Sequence, residues 1–191
     1  MHALGQVAHA DFRKKYPFKM LHDGLNFYLR DYRCRVQRVE AADPEFHARF
    51  SAKTKTYVYR VIYSRTNSIF DEKRAWWISN KIEIDLSKAI KESQYLVGHH
   101  DFSSFRDSSC QSPSPIKTME KIEVIHSGDR LDLHFTAKSF LHKQIRITVG
   151  TLIDIARGRF DSVTEILGKR DRTYAGQTAP GYGLFLKNVD Y

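Results

Sequence analysis

The 191-residue sequence predicts an α+β fold with a largely antiparallel mixed sheet flanked by helices. Strand patterns outnumber helix patterns and do not alternate regularly with them, as they would in a parallel α/β sheet. The strongest strand pattern, Thr56 to Tyr63, is β-branched and aromatic and contains no Gly or Pro. The strongest helix pattern, Ser139 to Arg157, repeats apolar residues at helical spacing.

The first part of the chain carries weaker patterns. Gly5 to Phe12 and Cys34 to Val39 each resemble a short strand, and Met20 to Tyr32 places apolar side chains along one side of a helix. The segment Ala41 to Pro44 interrupts these patterns. We therefore place a domain boundary between residues 42 and 50.

The remaining elements follow from local signals along the chain. Asp85 is a good N-cap for a helix that Gly98 would stop, and Ser103 to Pro115 has the composition of a loop. Further predictions are strands at 76–78 and 184–189, a hairpin of 122–126 with 131–137, and a short helix at 161–167.

Composition restricts the classes of function. A hydrophobic content of 41% excludes a disordered chain, and 31 Lys+Arg against 22 Asp+Glu give a net charge of +9. Basic residues together with 12 Phe and 10 Tyr favour a polyanionic partner such as nucleic acid, the alternative being a solvated basic surface. Two cysteines build neither a disulfide framework nor a four-Cys zinc site, which fits a cytoplasmic setting. No apolar run is long enough to cross a membrane, and the first residues do not resemble a signal peptide.

Two segments place chemically useful side chains together. In a strand, Tyr57 and Tyr59 share a face with Lys55, an aromatic and cationic surface that suits an unstacked base. The alternative is a core strand whose tyrosines pack under helices. Arg146, flanked by isoleucines in the strongest helix, would be half-buried and would need a carboxylate or phosphate. The alternative is an arginine that reaches the surface or closes a structural ion pair.

Histidines suggest a metal site only weakly. His99, His100 and His142 match no standard spacing of metal ligands, and adjacent histidines usually point apart. A metal-dependent hydrolase that uses them is the least favoured of the functions considered. We expect no bound metal.

Four segments, in order along the chain, resemble the bacterial tRNA pseudouridine synthase A family. They are Phe46-His47-Ala48-Arg49-Phe50-Ser51-Ala52 with Tyr57 and Tyr59, Asp101 to Arg106, Phe140 to Gly150, and Ala179 to Leu186 with Val189 and Tyr191. The resemblance implies the pseudouridine synthase fold. Residues 1–45 would be an incomplete N-terminal α/β domain, and 46–191 a C-terminal α/β domain with the substrate pocket.

The resemblance also implies an activity. The family isomerises uridine to pseudouridine at positions 38, 39 and 40 of the tRNA anticodon arm, without cofactor or metal, and forms homodimers. An Asp acts as nucleophile on a flipped-out uridine. By resemblance Tyr57 stacks on the target uracil, and Arg146 is the catalytic partner of that Asp. Basic residues on or near the matching segments are candidates for RNA binding: Lys53, Lys55, Arg60, Arg106, Lys117 and Lys143.

The chain departs from the family at the nucleophile. The family motif has the form G-R-T-D-x-G-V-H-A, and Met1-His2-Ala3 matches its last three positions. We expect the Asp to be encoded upstream, with Met1 at a GUG codon that specifies Val internally; the alternatives are a decayed gene and an engineered fragment. On this hypothesis the N-terminal domain lacks strands, and Leu25, Phe27, Tyr28 and Tyr32 lack apolar partners. The alternative function is a catalytically inactive tRNA- or RNA-binding protein.

Overall fold

The computed structural model describes all 191 residues, and they divide into two compact units, residues 7–51 and residues 1–6 with 52–191. The sequence prediction had instead separated 1–45 from 46–191. Residues 1–6 join the larger unit because His2 and Ala3 pair with Phe185 and Leu186 at the edge of its sheet.

The larger unit contains eight strands and three α-helices. The strands are β1 His2–Ala3, β2 Thr54–Ser64, β3 Trp76–Ser79, β4 Gly98–Asp101, β5 Ile116–Met119, β6 Lys121–Ser127, β7 Arg130–Ala137 and β8 Leu184–Asp190. The helices are α2 Leu86–Gln94, α3 Gln144–Ala156 and α4 Val163–Lys169. Short 3-10 turns lie at Ser103–Phe105, Arg172–Tyr174 and Gly181–Gly183.

The main sheet has the strand order β1-β8-β2-β7-β6, and β3 also pairs with β2. Pairings of β2 with β7, of β2 with β8 and of β6 with β7 are antiparallel, whereas β1–β8 and β2–β3 are parallel. The predicted α+β class with a largely antiparallel sheet is confirmed. β2 is the central strand, which agrees with its run of β-branched and aromatic residues.

The hydrophobic core lies between this sheet and the helices. Tyr59, Leu133 and Phe135 of the sheet form one buried cluster with Ile147 and Val149 of α3. The helix α3 is buried around most of its circumference, which explains why Ser139 to Arg157 gave the strongest helical pattern. The helix α2 begins as predicted, because the Asp85 carboxylate accepts a hydrogen bond from the Lys88 N–H.

The smaller unit, residues 7–51, contains one helix, α1 Phe18–Leu29, followed by a 3-10 turn at Arg30–Tyr32. The helix predicted at 20–32 is thus confirmed. The strands predicted at 5–12 and 34–39 were wrong, because neither segment finds a partner strand and isolated strands are unstable in water. The Asn26 side chain ties the second segment to α1 by hydrogen bonds with the backbone of Val36.

One small sheet was missed. β4 and β5 form an antiparallel pair outside the main sheet. Gly98 does not cap α2, which ends at Gln94; it opens β4 with a φ of 119°. The short segments Gly98–Asp101 and Ile116–Met119 have no apolar alternation that would have predicted strands.

Candidate active site

Tyr57 lies in the first half of β2, opposite Phe135 of β7 and Leu186 of β8. Its ring is partly buried and meets the ring of Phe140 edge to face, with centroids 5.3 Å apart. Burial raises the pKa of its hydroxyl. A partly accessible aromatic ring of this kind can support a stacked base.

Tyr59 is a core residue, as the core-strand alternative proposed. Its side chain is fully buried, and its hydroxyl donates a 2.7 Å hydrogen bond to the carbonyl oxygen of Pro180. Burial raises the pKa of this hydroxyl, as does the neighbouring Tyr182, while Arg146 acts in the opposite direction. The predicted pair of tyrosines therefore separates into a buried anchor and a partly accessible ring.

Arg146 lies in the first half of α3 beside the turn that leads into β8. Its Nε donates a 2.7 Å hydrogen bond to the Ala179 carbonyl, and the Ala179 N–H donates to the carbonyl of Arg146 itself. No carboxylate of the chain lies within ion-pair distance of its guanidinium. The structural-ion-pair alternative for Arg146 is therefore wrong, and the cation remains available for an acidic partner.

Three glycines allow the turn to approach α3 and β2. A Cβ on Gly150 would lie 1.8 Å from the Gln177 carbonyl oxygen, and one on Gly176 would lie 2.7 Å from the Asp154 carboxylate. A Cβ on Gly183 would lie 2.8 Å from the Tyr59 ring. Glycine is the residue that permits these backbone distances. Gly150 and Gly176 therefore allow the approach to α3, and Gly183 allows the approach to Tyr59 of β2.

The buried carboxylate of Asp154 contacts Gln177, in the segment that leads into β8. It accepts hydrogen bonds from the Gln177 N–H and the Arg159 guanidinium, and Arg157 lies 3.7 Å away. Asp154 is thus committed to structural contacts two turns of α3 beyond Arg146. It does not serve as the acidic partner of Arg146.

Three of the six candidates for RNA binding make contacts within the chain. The Arg60 guanidinium lies 4.2 Å from the Phe185 ring centroid and 3.9 Å from the Asp132 carboxylate. Arg106 donates to the carbonyls of Cys110 and Ser112, and Lys143 forms a 2.9 Å ion pair with Asp107.

The other three candidates make no ion pair. Lys53 precedes β2 and is exposed, while Lys55 in β2 and Lys117 in β5 are partly buried. They remain predictions as phosphate ligands, and their charges are free to act in that way.

The structure does not bring the three histidines together. His99 lies 2.9 Å from the Thr118 hydroxyl, His100 lies 3.1 Å from the Val97 carbonyl oxygen, and His142 lies 3.0 Å from the Ser109 hydroxyl. No group of three or more His, Cys, Asp or Glu side chains is arranged to hold a metal ion. No helix is long and apolar enough to cross a membrane.

Comparison with known proteins decides the family. A sequence model described as tRNA pseudouridine synthase matches residues 93–191, more than half of the chain. A tRNA pseudouridine synthase A from Ehrlichia canis is 44% identical over 193 residues, which cover 100% of this chain and 78% of that protein. This chain belongs to the tRNA pseudouridine synthase A family. The family assignment made from four segments is therefore confirmed.

Other members of the family are also similar to this chain over its whole length. The protein of the same name from Neorickettsia sennetsu is 43% identical, again over 100% of this chain and 78% of its own length. The one from Paramagnetospirillum magneticum is 40% identical and is covered to 75%. The α+β architecture, with its mostly antiparallel sheet and flanking helices, is consistent with the pseudouridine synthase fold.

Sequence reasoning missed the residues that build the turn. The core-strand alternative covered the burial of Tyr59 but not the hydrogen bond from its hydroxyl to the Pro180 carbonyl. Gly150 offered a signal, because a glycine inside an otherwise apolar helix costs about 1 kcal/mol and usually has a packing reason. Gly176, Gly183 and Asp154 offered none, because their contacts depend on where α3 meets the turn.

Proposed function

We propose that this protein converts uridine to pseudouridine in the anticodon stem-loop of tRNA. The observation that carries the proposal is Arg146, a partly buried cation fixed by the Ala179 carbonyl and without an acidic partner. The names of the relatives supply the substrate class, and Tyr57 supplies the aromatic surface that the reaction needs.

The reaction requires the base to be detached and held. The bond from N1 of uracil to the ribose breaks, the base turns, and its C5 forms the new bond to the ribose. The hydrogen on C5 is released as a proton, and N1 gains one, so the product is an isomer. In this proposal Tyr57 stacks on the uracil while it is detached, and Arg146 keeps the nucleophilic carboxylate ionised and oriented.

The register of β1 indicates where the nucleophilic carboxylate would lie. β1 is parallel to β8, with His2 opposite Phe185. In the family motif the Asp stands three positions before the residue that aligns with Met1. A strand continued backward in the same register would bring that position opposite Gly181. A Cβ on Gly181 would lie 3.6 Å from the Arg146 Cζ, so this is the neighbourhood of the free guanidinium.

A fusion tests this arrangement. We would place Gly-Arg-Thr-Asp-Ala-Gly before Met1 and measure tritium release from tRNA that carries 5-tritiated uridine. Release by the fusion, and its loss when the Asp is changed to Asn or Arg146 to Ala, is the expected result. If the fusion binds tRNA and releases no tritium, the catalytically inactive RNA-binding alternative is favoured.

We propose that Lys53, Lys55 and Lys117 bind tRNA phosphates, because they have no acidic partner in the chain. Each phosphate contact steepens the dependence of log K on log salt by roughly 0.7 to 0.9. Lys55→Gln should reduce the slope by about that amount. Lys121→Gln is the control, because Lys121 already pairs with Glu123 at 2.6 Å. Equal changes in both variants would count against specific contacts.

We further propose that the protein forms a homodimer, which is supported by apolar side chains on and beside α1. Phe27 is 59% exposed and Tyr28 and Tyr32 are 76% exposed, and Phe18, Met20 and Leu25 are exposed as well. Exposed apolar surface of this extent marks interaction sites. Analytical ultracentrifugation should show association that rises with concentration and weakens in Phe27→Glu. A single monomeric species at all concentrations would contradict the dimer.

A cytoplasmic location is proposed as well. The chain has two cysteines, Cys34 and Cys110, and both are free thiols. Free thiols persist in reducing compartments. Fractionation of the source cells with an antibody to the protein would test this location.

A further inference from the structure

The turn between Ala179 and Gly183 is attached to the rest of the molecule from two sides. On one side Ala179 exchanges hydrogen bonds with Arg146, through its carbonyl to Nε and through its N–H to the Arg146 carbonyl. On the other side Pro180, the next residue, accepts the Tyr59 hydroxyl at 2.7 Å. The acceptors for Arg146 and Tyr59 are therefore adjacent carbonyls of one short turn.

Tyr59 is suited to fix this turn. Its side chain is fully buried in the central strand, so its hydroxyl has little freedom to move. The ring also lies against Gly183 at the far end of the turn, where a Cβ would approach it to 2.8 Å. The turn is thus confined at Pro180 by a hydrogen bond and at Gly183 by direct packing.

We propose that Tyr59 is a positioning residue that sets the orientation of the Arg146 guanidinium through the Pro180 carbonyl. This inference rests on the proposed function, in which Arg146 orients the nucleophile. Tyr59 acts without touching the uridine. Loss of its hydroxyl would let the turn move, and the Ala179 carbonyl would no longer hold Nε in one direction.

A matched pair of variants isolates the hydroxyl. Tyr59→Phe removes the hydrogen bond to Pro180. Tyr63→Phe removes a similar bond made from the same strand, β2. The Tyr63 hydroxyl donates a 3.0 Å hydrogen bond to the Ile82 carbonyl and not to the turn at 179–183. A general loosening of β2 would therefore appear in both variants, whereas a positioning effect would appear in Tyr59→Phe alone.

The readout is the exchange rate of the Arg146 Nε proton with water, followed by nuclear magnetic resonance and assigned by its disappearance in Arg146→Lys. We expect Tyr59→Phe to exchange this proton about tenfold faster, which corresponds to the loss of one hydrogen bond, and Tyr63→Phe to leave it unchanged. An unchanged rate in folded Tyr59→Phe, or equal acceleration in both variants, would overturn the proposal.

If Tyr59→Phe does not fold, as shown by the loss of a cooperative melting transition, Gly183→Ala is the variant to measure instead. The added Cβ would press on the Tyr59 ring and displace the turn, so the Nε proton should again exchange faster, and an unchanged rate would overturn the proposal. The measurement does not depend on activity. A fusion carrying Gly-Arg-Thr-Asp-Ala-Gly that binds tRNA and releases no tritium would count against the proposed function, and the exchange rate would still report whether Tyr59 positions Arg146.

Discussion

The two units of the chain contain similar sequence signals and differ in what those signals produce. Residues 7–51 contain an amphipathic helix and several aromatic residues, and none of their side chains is buried. Residues 52–191 contain all the buried side chains of the chain, centred on β2, β7 and α3. Local pattern was sufficient to form α1, but a strand or a core also requires a partner surface.

The difference affects the proposed activity. Tyr57 and Arg146 both belong to the unit with a core, where β2, α3 and the turn at 179–183 fix them. The apolar side chains of α1 have no such support. Substitutions in the two units should therefore have different consequences.

The largest expected effect is the loss of a core phenylalanine. Phe135→Ala removes a fully buried ring from the main cluster and should lower the free energy of unfolding by about 3–5 kcal/mol. Phe27→Ala, at a 59% exposed position in α1, should change it by less than about 0.5 kcal/mol at protein concentrations at which the chain is monomeric. Urea unfolding of both variants makes the comparison. An equal loss would show that residues 7–51 have a core in solution.

Two glycines in helices sharpen the comparison within the larger unit. Gly150→Ala would place a Cβ 1.8 Å from the Gln177 carbonyl oxygen and should destabilise by about 1–3 kcal/mol. Gly168→Ala in α4 meets no atom within 4 Å and should stabilise by about 0.4–1 kcal/mol. Thermal melts should shift in opposite directions. A neutral Gly150→Ala would contradict the close approach of α3 to the turn.

Tyr57→Ala should weaken tRNA binding by about 1–3 kcal/mol, the usual contribution of one stacked base. Tyr57→Phe keeps the ring and should bind nearly as the parent does. Binding to an anticodon stem-loop, measured by fluorescence anisotropy, tests both variants. A melting transition that collapses in Tyr57→Ala would favour the core-strand interpretation instead.

The smallest effect concerns pH. Burial lowers the pKa of His134, and the Lys187 ammonium adds to this shift. The folded state therefore favours neutral His134. Its contribution to stability is fully present above the ordinary histidine pKa of about 6.5 and is lost as the pH falls through the lower folded value. His134→Gln should weaken the pH dependence of the unfolding free energy between pH 7 and 5. His126→Gln, at an exposed histidine, is the control. Equal pH dependence in the two variants would contradict the role of His134.

The comparison also shows what sequence can predict. Thr56 to Tyr63 was correctly assigned as a strand, and the helix predicted over Ser139 to Arg157 was correct from Gln144 to Ala156, whereas residues 139–143 precede the helix and Lys143 adopts a φ of 58°. The correct parts have buried residues on both sides or around most of their surface, so each side chain contributes to the pattern. The segments 5–12 and 34–39 were assigned wrongly, because an alternating pattern does not reveal whether a partner strand exists. Tyr57 and Arg146 could be singled out because an aromatic beside cations and an arginine among isoleucines are unusual.

The support of these two residues could not be predicted. The hydrogen bond from Tyr59 to Pro180 joins residues that are 121 positions apart, and the contact of Gly150 with Gln177 depends on the path of the turn. Arg60, Arg106 and Lys143 were indistinguishable in sequence from Lys53, Lys55 and Lys117. Only the fold shows that Asp132, Asp107 and backbone carbonyls contact the first three.

The most direct test is to incubate the 191-residue chain with tRNA that carries 5-tritiated uridine, and to measure tRNA binding and tritium release in the same sample. Our account predicts binding without release, because Arg146 has no acidic partner among these residues. Tritium release would contradict it, since a nucleophile would then lie within the chain. Absence of tRNA binding would contradict the roles proposed for Tyr57 and Arg146.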